Sequence, residues 1–339
     1  MQNQTTGRIE SNNFESALPS DDPTVAVFEE SDSGPLRRIQ HFLHAYPTMI
    51  PFIILVLSVV IFSFFAGSRF FAPLNLSLVL QQVTIIAVLG IAQTLIILTA
   101  GIDLSVGAIM VLSSIVMGRL AVESGVPVYF AFPIGLATGI ACGWLNGLLV
   151  TKLRLPPFIV TLGTWSIFGA LILFYSKSET IRQQDVQAVA SFLQWTGYAI
   201  NDGLRDSYAW FKGSWGSESW PEWKFRFGGA RITYGSILML LVAFVVWYIL
   251  NRTAFGRHVY ATGDDPDAAR LAGINTDRTL LAVYTIAGLI CAIGGWVLIG
   301  RIGAVSPLSG ATANLDSITA VVIGGTSLFG GRGSIVGTL

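Results

Sequence analysis

The chain has 339 residues, 53% of them hydrophobic and only 12% charged, about half the charged fraction of an ordinary soluble domain. That composition excludes a water-soluble globule. Lys and Arg number 20 against 20 Asp and Glu with no long basic block, so the electrostatic footprint of a nucleic-acid binder is missing.

The N-terminal 1–35 segment differs from the rest. It carries Glu10, Glu15, Asp21, Asp22, Glu29, Glu30 and Asp32 against a single base, Arg8, and reads as a disordered acidic tail. It lacks the basic start and early apolar core of a secretory signal. The remaining 36–339 segment forms the membrane domain.

Crossing a bilayer takes roughly 20 apolar residues. Uncharged runs near that length, 48–66, 76–100, 126–150, 157–176, 232–250 and 279–300, are predicted as spans. Two shorter runs, 104–118 and 317–331, are each either a span with a polar entrance or a broken, re-entrant piece shielded by its neighbours. The expected fold is all-α, a polytopic helix bundle of seven full crossings and one partial element. Arg37 and Arg38 precede the first span, Lys152 and Arg154 follow the fourth, and Arg252, Arg257, Arg270 and Arg278 follow the sixth. By the positive-inside rule the N-terminus is cytoplasmic.

In the second span Gln82 and Gln93 are eleven residues apart, three helical turns plus about 20°, and so fall on one face with Gln81 at its edge. An amide is expensive in hydrocarbon unless paired. The face therefore looks to protein or water, either as interhelical glue or as a ladder of neutral donors and acceptors for a polyhydroxylated solute. Next, Gly101-Ile102-Asp103-Leu104-Ser105 interrupts the apolar sequence. Asp103 or Ser105 is placed to accept from the free N–H groups of a following helix; the alternative is a break that lines a solute path, since irregular backbone at membrane depth is tolerated beside a cavity.

The fourth span repeats glycine every fourth residue at Gly135, Gly139, Gly143 and Gly147, a stripe that lets a neighbouring helix approach closely. Asn146 beside it either bonds across helices or lines a path. The 177–231 segment falls outside the cell and holds Trp195, Trp210, Trp215, Trp220 and Trp223, a cluster suited to an interfacial belt, a small cap or a docking surface.

The cytoplasmic loop 251–278 encodes a short isolated helix. Asp265 suits the N-cap, Pro266 the first helical position, Asp267 the positive end, and Gly273 the left-handed stop. A two-turn helix is marginal alone in water, so such complete capping points to docking on a cytosolic partner. Near the end, the glycine-rich 324–334 stretch lacks the Gly-Lys-Ser/Thr of a phosphate loop.

No residue set argues for catalysis: there is no Ser-His-Asp or paired-carboxylate arrangement, and the apolar runs contain no Asp, Glu, Lys, Arg or His. Cys142 and Cys291 lack CxxC spacing, and His41, His44 and His258 lack metal-ligand spacing, so no metal is expected. Energy, if used, enters from outside the chain.

Four runs carry a broader likeness: GIDLSVG at 101–107, NGLLVTKLRLPPFIVTLG at 146–163, NRTAFGRHVYATGDDPDAARLAGI at 251–274 and ITAVVIGGTSLFGGRGSIVGT at 318–338. From about residue 35 onward the chain resembles the membrane permease subunits of bacterial monosaccharide ABC importers, the ribose/xylose/fructose group related to branched-chain amino-acid permeases. The runs at 40–47 and 94–122 make it most similar to fructose permeases. The resemblance implies a multi-pass protein of the bacterial inner membrane, a second permease copy, cytosolic ATPase subunits that use the ATP, and an external sugar-binding protein. It also implies that 264–273, with Asp264, Asp265, Pro266, Ala269, Arg270 and Gly273, is the coupling element that sits on the ATPase. Two departures stand out: the chain stops at Leu339 just as an apolar helix opens after Arg332, as a fragment would, and 201–226 is unusually long and tryptophan-rich. A passive or ion-coupled carrier and a membrane receptor or scaffold are the competing readings.

Overall fold

The computed structural model describes residues 49–200 and 230–339. The acidic 1–35 tail and Trp210, Trp215, Trp220 and Trp223 lie outside the described residues.

Twelve α-helices follow one another among the described residues: α1 Met49–Ala66, α2 Pro73–Leu98, α3 Val106–Gly118, α4 Val128–Lys152, α5 Pro157–Ser176, α6 Gln183–Gln194, α7 Tyr234–Arg252, α8 Ala254–Asp264, α9 Pro266–Leu271, α10 Thr276–Ile302, α11 Ala313–Ile323 and α12 Ile335–Thr338. Seven of them, α1 to α5, α7 and α10, are long and apolar enough to cross a membrane, α3 when its π-helical extension Arg119–Glu123 is included. The ambiguous 104–118 run is thus a full-length helix. The 317–331 run is not: α11 has 11 residues, about 16 Å of helix against a hydrocarbon core of about 30 Å, and a glycine-rich turn follows it. No strand occurs among the described residues, only the isolated bridges Ile181 to Val305 and Ala199 to Thr233.

Local sequence sets the ends. Pro73 and Pro157 open α2 and α5 at positions where a missing N–H costs nothing. Asn275 accepts from the Arg278 N–H at 3.0 Å to start α10. Gly303, at φ +76°, ends it in the left-handed conformation that glycine adopts without strain.

The bundle is built around α10, which packs against α4, α3 and α2. In α3 and α10 most side chains are buried, whereas α1 has none in its apolar window. The exposed apolar faces of α1, α5 and α7 are the surface such a bundle presents to lipid. Helix α2 changes character along its length: from Pro73 to Val83 only Ser77 is buried, and from Ala87 to Leu98 every residue is buried.

Lys152 ends α4, Arg252 ends α7 and Asp277 and Arg278 begin α10. This basic end carries α8 and α9. The far end is closed by amphipathic α6, which buries Val186, Ala190 and Leu193. There Trp296 of α10 stacks on Phe192 at 5.2 Å and on Trp195 at 5.8 Å, and Trp195 stacks on Tyr234 at 4.5 Å. Of the five clustered tryptophans, Trp195 is thus a packing residue.

Candidate functional site

Between α2 and α3 the backbone leaves helical geometry. Ala100 takes φ +58°, and the Gly101 N–H donates back to the Ile96 carbonyl at 3.1 Å. A Cβ at Gly101 would stand 2.9 Å from the Tyr284 hydroxyl, so glycine lets the turn pass close beside that hydroxyl. Residues 101–105 then carry N–H and C=O groups without helical partners, and side chains from three helices take several of them up, as buried backbone requires. The Gln93 amide donates to the Asp103 carbonyl and accepts from the Asp103 N–H, both at 3.2 Å. Thr161 of α5 donates to the Ile102 carbonyl at 3.1 Å, and Asn314 of α11 donates to the Leu104 carbonyl at 3.2 Å.

The polar side chains of the break bond to one another. Asp103 Oδ1 accepts from the N–H and the hydroxyl of Ser105, each at 2.7 Å. Asn146 Nδ2 of α4 donates to Ser105 Oγ at 2.8 Å. Gln93, Ser105 and Asn146 are completely buried and Asp103 retains 2% of its surface. No cation pairs with Asp103 among the described residues. Asn146 Oδ1 and the Tyr284 hydroxyl are buried without partners beside it.

The expectation of a simple cap is corrected here. Ser105 occupies the N-cap position of α3 but its side chain accepts no bond from that helix, because the hydroxyl is spent between Asp103 and Asn146. Gln82 and Gln93 share one side of α2 but differ in burial. Gln93 is inside the bundle whereas Gln82 is exposed, since burial of α2 changes along its axis rather than around it. Gln81 is half-buried and donates to the Arg231 carbonyl at 3.2 Å. Of the five path candidates, Gln93, Asp103, Ser105 and Asn146 therefore converge and Gln82 stands apart.

The glycine stripe makes this convergence possible. A Cβ on Gly139 would meet the Gly288 carbonyl oxygen at 2.5 Å, and one on Gly147 would meet Tyr284 Cβ at 3.1 Å; Gly143 lies against the Tyr284 carbonyl and Gly135 against Met117 of α3. The stripe seats α4 directly on α10 and α3, which carries Asn146 up to Ser105. Sequence reasoning missed Tyr284, Thr161 and Asn314. Tyrosine and threonine are common inside spans, and Asn314 sits in a polar stretch that reads as a loop.

At the basic end α9 forms as its capping residues require. Asp265 Oδ1 accepts from the N–H groups of Asp267 at 2.9 Å and Ala268 at 3.0 Å, Pro266 follows the cap, and Gly273 takes φ +84°. Ala269 is buried against the protein while Leu271 is 91% exposed, and Asp264 and Asp265 are open to solvent. Arg270 Nε donates to Thr276 Oγ1 at 2.9 Å, with Asp267 at 3.4 Å and Asp277 at 3.7 Å from its guanidinium. These contacts tie α9 to the first turn of α10. An open hollow of about 330 Å³ lies between Arg270 and Asp277. Helix α8, capped by Thr253 Oγ1 accepting from the Gly256 N–H, was not evident in a stretch interrupted by two glycines and four ionisable groups. Its Tyr260, whose phenol burial pushes up and so keeps protonated, donates to the Gly333 carbonyl at 2.9 Å.

A bundle of seven crossing-length helices with a polar break sealed inside and a capped helix displayed on an interspan loop suits a membrane transport component. Residues 75–339 match the family described as the permease component of branched-chain amino acid transport systems, and the chain belongs to that family. It is a multi-pass membrane permease component rather than an enzyme. It is 51% identical to the fructose import permease protein FrcC of Rhizobium meliloti, over 97% of this chain and 84% of that protein. It is 37% identical to the ribose import permease protein RbsC of Bacillus subtilis, over 89% and 84% of the two chains. The xylose transport system permease protein XylH of Escherichia coli K12 is 31% identical, over 82% and 78%. No solved structure matches the chain.

Proposed function

We propose that this chain is the permease subunit of an ATP-driven, binding-protein-dependent importer of a monosaccharide, with fructose favoured by the likeness to FrcC. It lies in the bacterial inner membrane with its N-terminus and basic end toward the cytosol. Two permease copies, an external sugar-binding protein at the far end and cytosolic ATPase subunits at the basic end complete the machine. ATP is bound and split by the ATPase subunits. The observation that carries this reading is α9: a fully capped two-turn helix that displays Leu271 and its acidic start to solvent, while Ala269 and Arg270 fasten it to the bundle. A helix so short is kept for what docks on it.

The break is the element that the cycle remodels. Gln93, Asp103, Ser105 and Asn146 are satisfied as one set in the closed arrangement, and a switch needs such a discrete alternative packing. Opening it exposes neutral and acidic oxygens and amides that exchange hydrogen bonds with sugar hydroxyls. Gln82, open on the outer half of α2, faces the second copy.

Reconstitution tests the reading. Vesicles holding the permease, the ATPase and the sugar-binding protein take up labelled fructose only with ATP, and the permease alone accumulates none. Arg270→Ala lowers uptake by about tenfold, the size of an ordinary coupling energy, with external sugar capture intact. Uphill uptake by the permease alone sinks the proposal.

A further inference from the structure

Three backbone segments meet at the basic end with no side chain between them. Gly263, buried in the last turn of α8, lies so close to the Leu98 carbonyl that a Cβ there would overlap it, and the same Cβ would stand 2.8 Å from the Gly331 nitrogen. Leu98 is the last residue of α2, and its carbonyl accepts from the Gly331 N–H at 3.0 Å. Gly330, at φ +83°, lies against the Gly263 carbonyl, and a Cβ on it would be 2.9 Å from the Ala100 nitrogen. Gly331, at φ +68°, fits against Asp264, whose Cα would be 2.9 Å from an added Cβ. The 327–332 loop is closed on itself by the Ser327 N–H donating to the Arg332 carbonyl at 2.8 Å, and Tyr260 fastens it to α8 through Gly333.

The joint stands between the two parts of the candidate site. Gly263 is two residues from Asp265, the cap of α9, and Leu98 is five residues from Asp103. Long side chains absorb a displacement by changing rotamer; backbone packed on backbone does not, because dense interiors transmit strain. Arg270 offers a second, softer route from α9 to α10 through a half-exposed side chain.

We propose that Gly263 is a positioning residue of the transport cycle: the backbone joint it forms with Leu98, Gly330 and Gly331 carries displacement of α9 to the polar break at 101–105. The proposal rests on the reading of α9 as the ATPase-docking element. Close approach to the Leu98 carbonyl is what requires glycine at 263, and the positive φ of Gly330 and Gly331 lets the loop wedge between the two chain ends.

The test is Gly263→Ala in the assembled complex of permease, ATPase and sugar-binding protein. The ATPase co-purifies with the variant as with the wild type and hydrolyses ATP at its unstimulated rate, whereas sugar-stimulated hydrolysis and fructose uptake fall by about tenfold. Full stimulation and uptake in the variant would overturn the joint. Failure of the ATPase to co-purify with the wild-type permease would instead overturn the docking role of α9, and the joint with it. If Gly263→Ala does not accumulate, hydrogen exchange on the wild-type complex decides: addition of a non-hydrolysable ATP analogue changes protection at 263–271 and 96–106 together, and a change confined to 263–271 overturns the inference.

Discussion

At the residue scale the buried carboxylate of Asp103 concentrates the chemistry. It has no cation partner among the described residues, and its support is the Ser105 N–H and hydroxyl at 2.7 Å, with Asn146 on the far side of that hydroxyl. Removing an acceptor strands two buried donors, each costing about 1–3 kcal/mol. Asp103→Ala is therefore expected to lower the stability of the purified chain by several times RT, while Asp103→Asn keeps an acceptor oxygen in place and costs about 1 kcal/mol or less. Thermal unfolding of the three proteins in the same detergent measures both; equal losses for Ala and Asn would show that the charge rather than the hydrogen bonds holds the break. Asp103, Ser105 and Asn146 were legible in the sequence because each is a strongly polar residue inside or beside an apolar run. Tyr284, Thr161 and Asn314 were not, because their part in the break depends on which helices meet, and nothing in their local sequence records that. The different burial of Gln82 and Gln93 was not legible for the same reason: helical period fixes the side of α2 that each occupies, but not how far along α2 the bundle covers it.

At the scale of elements, the glycine stripe shows how a repeat becomes a contact. Gly139, Gly143 and Gly147 let α4 lie backbone to backbone on α10, and Gly288 of α10 answers them. On α5, Gly163 and Gly169 have nothing within 4 Å of an added Cβ. The two kinds of glycine look alike in sequence and differ in consequence. Gly143→Ala drives a methyl group into the Tyr284 carbonyl and costs about 1–3 kcal/mol of overpacking, with lower thermal stability and faster loss of the folded form in detergent. Gly169→Ala in the same assay leaves stability unchanged or slightly raised, since alanine is the better helix former. A Gly143→Ala protein as stable as the wild type would mean that α4 and α10 separate readily. The spans themselves were readable from length and charge alone; α8 was not, because its helix relies on docking against α7 and α10 rather than on local propensity.

At the scale of the whole molecule, one polar group on the outside of the bundle separates a lone chain from an assembly. Exposed hydroxyls on the spans satisfy themselves by donating to the carbonyl one turn back, as Ser58 does to Ile54, Thr138 to Ile134 and Ser166 to Leu162. The Gln82 amide makes no bond among the described residues. It is the tenth residue of α2, about 14 Å below the start of that helix, a depth at which water is scarce and an unpaired amide costs several kcal/mol. In the proposed two-copy assembly, a second copy placed against the first half of α2 would supply the partner where the two-fold axis passes beside Gln82, because only near that axis does a residue meet its own copy. Gln82→Cys is therefore expected to form a disulfide-linked dimer in oxidised membranes. The native thiols do not interfere, as Cys142 and Cys291 are both buried. Gln82→Leu weakens the dimer only modestly, because lipid and protein both accept a leucine, whereas Gln82→Lys separates it by placing two like charges across the axis. If Gln82→Cys stays monomeric under oxidation while light scattering still finds a dimer, the copies meet on another face and α2 turns its amide to a water-filled path instead.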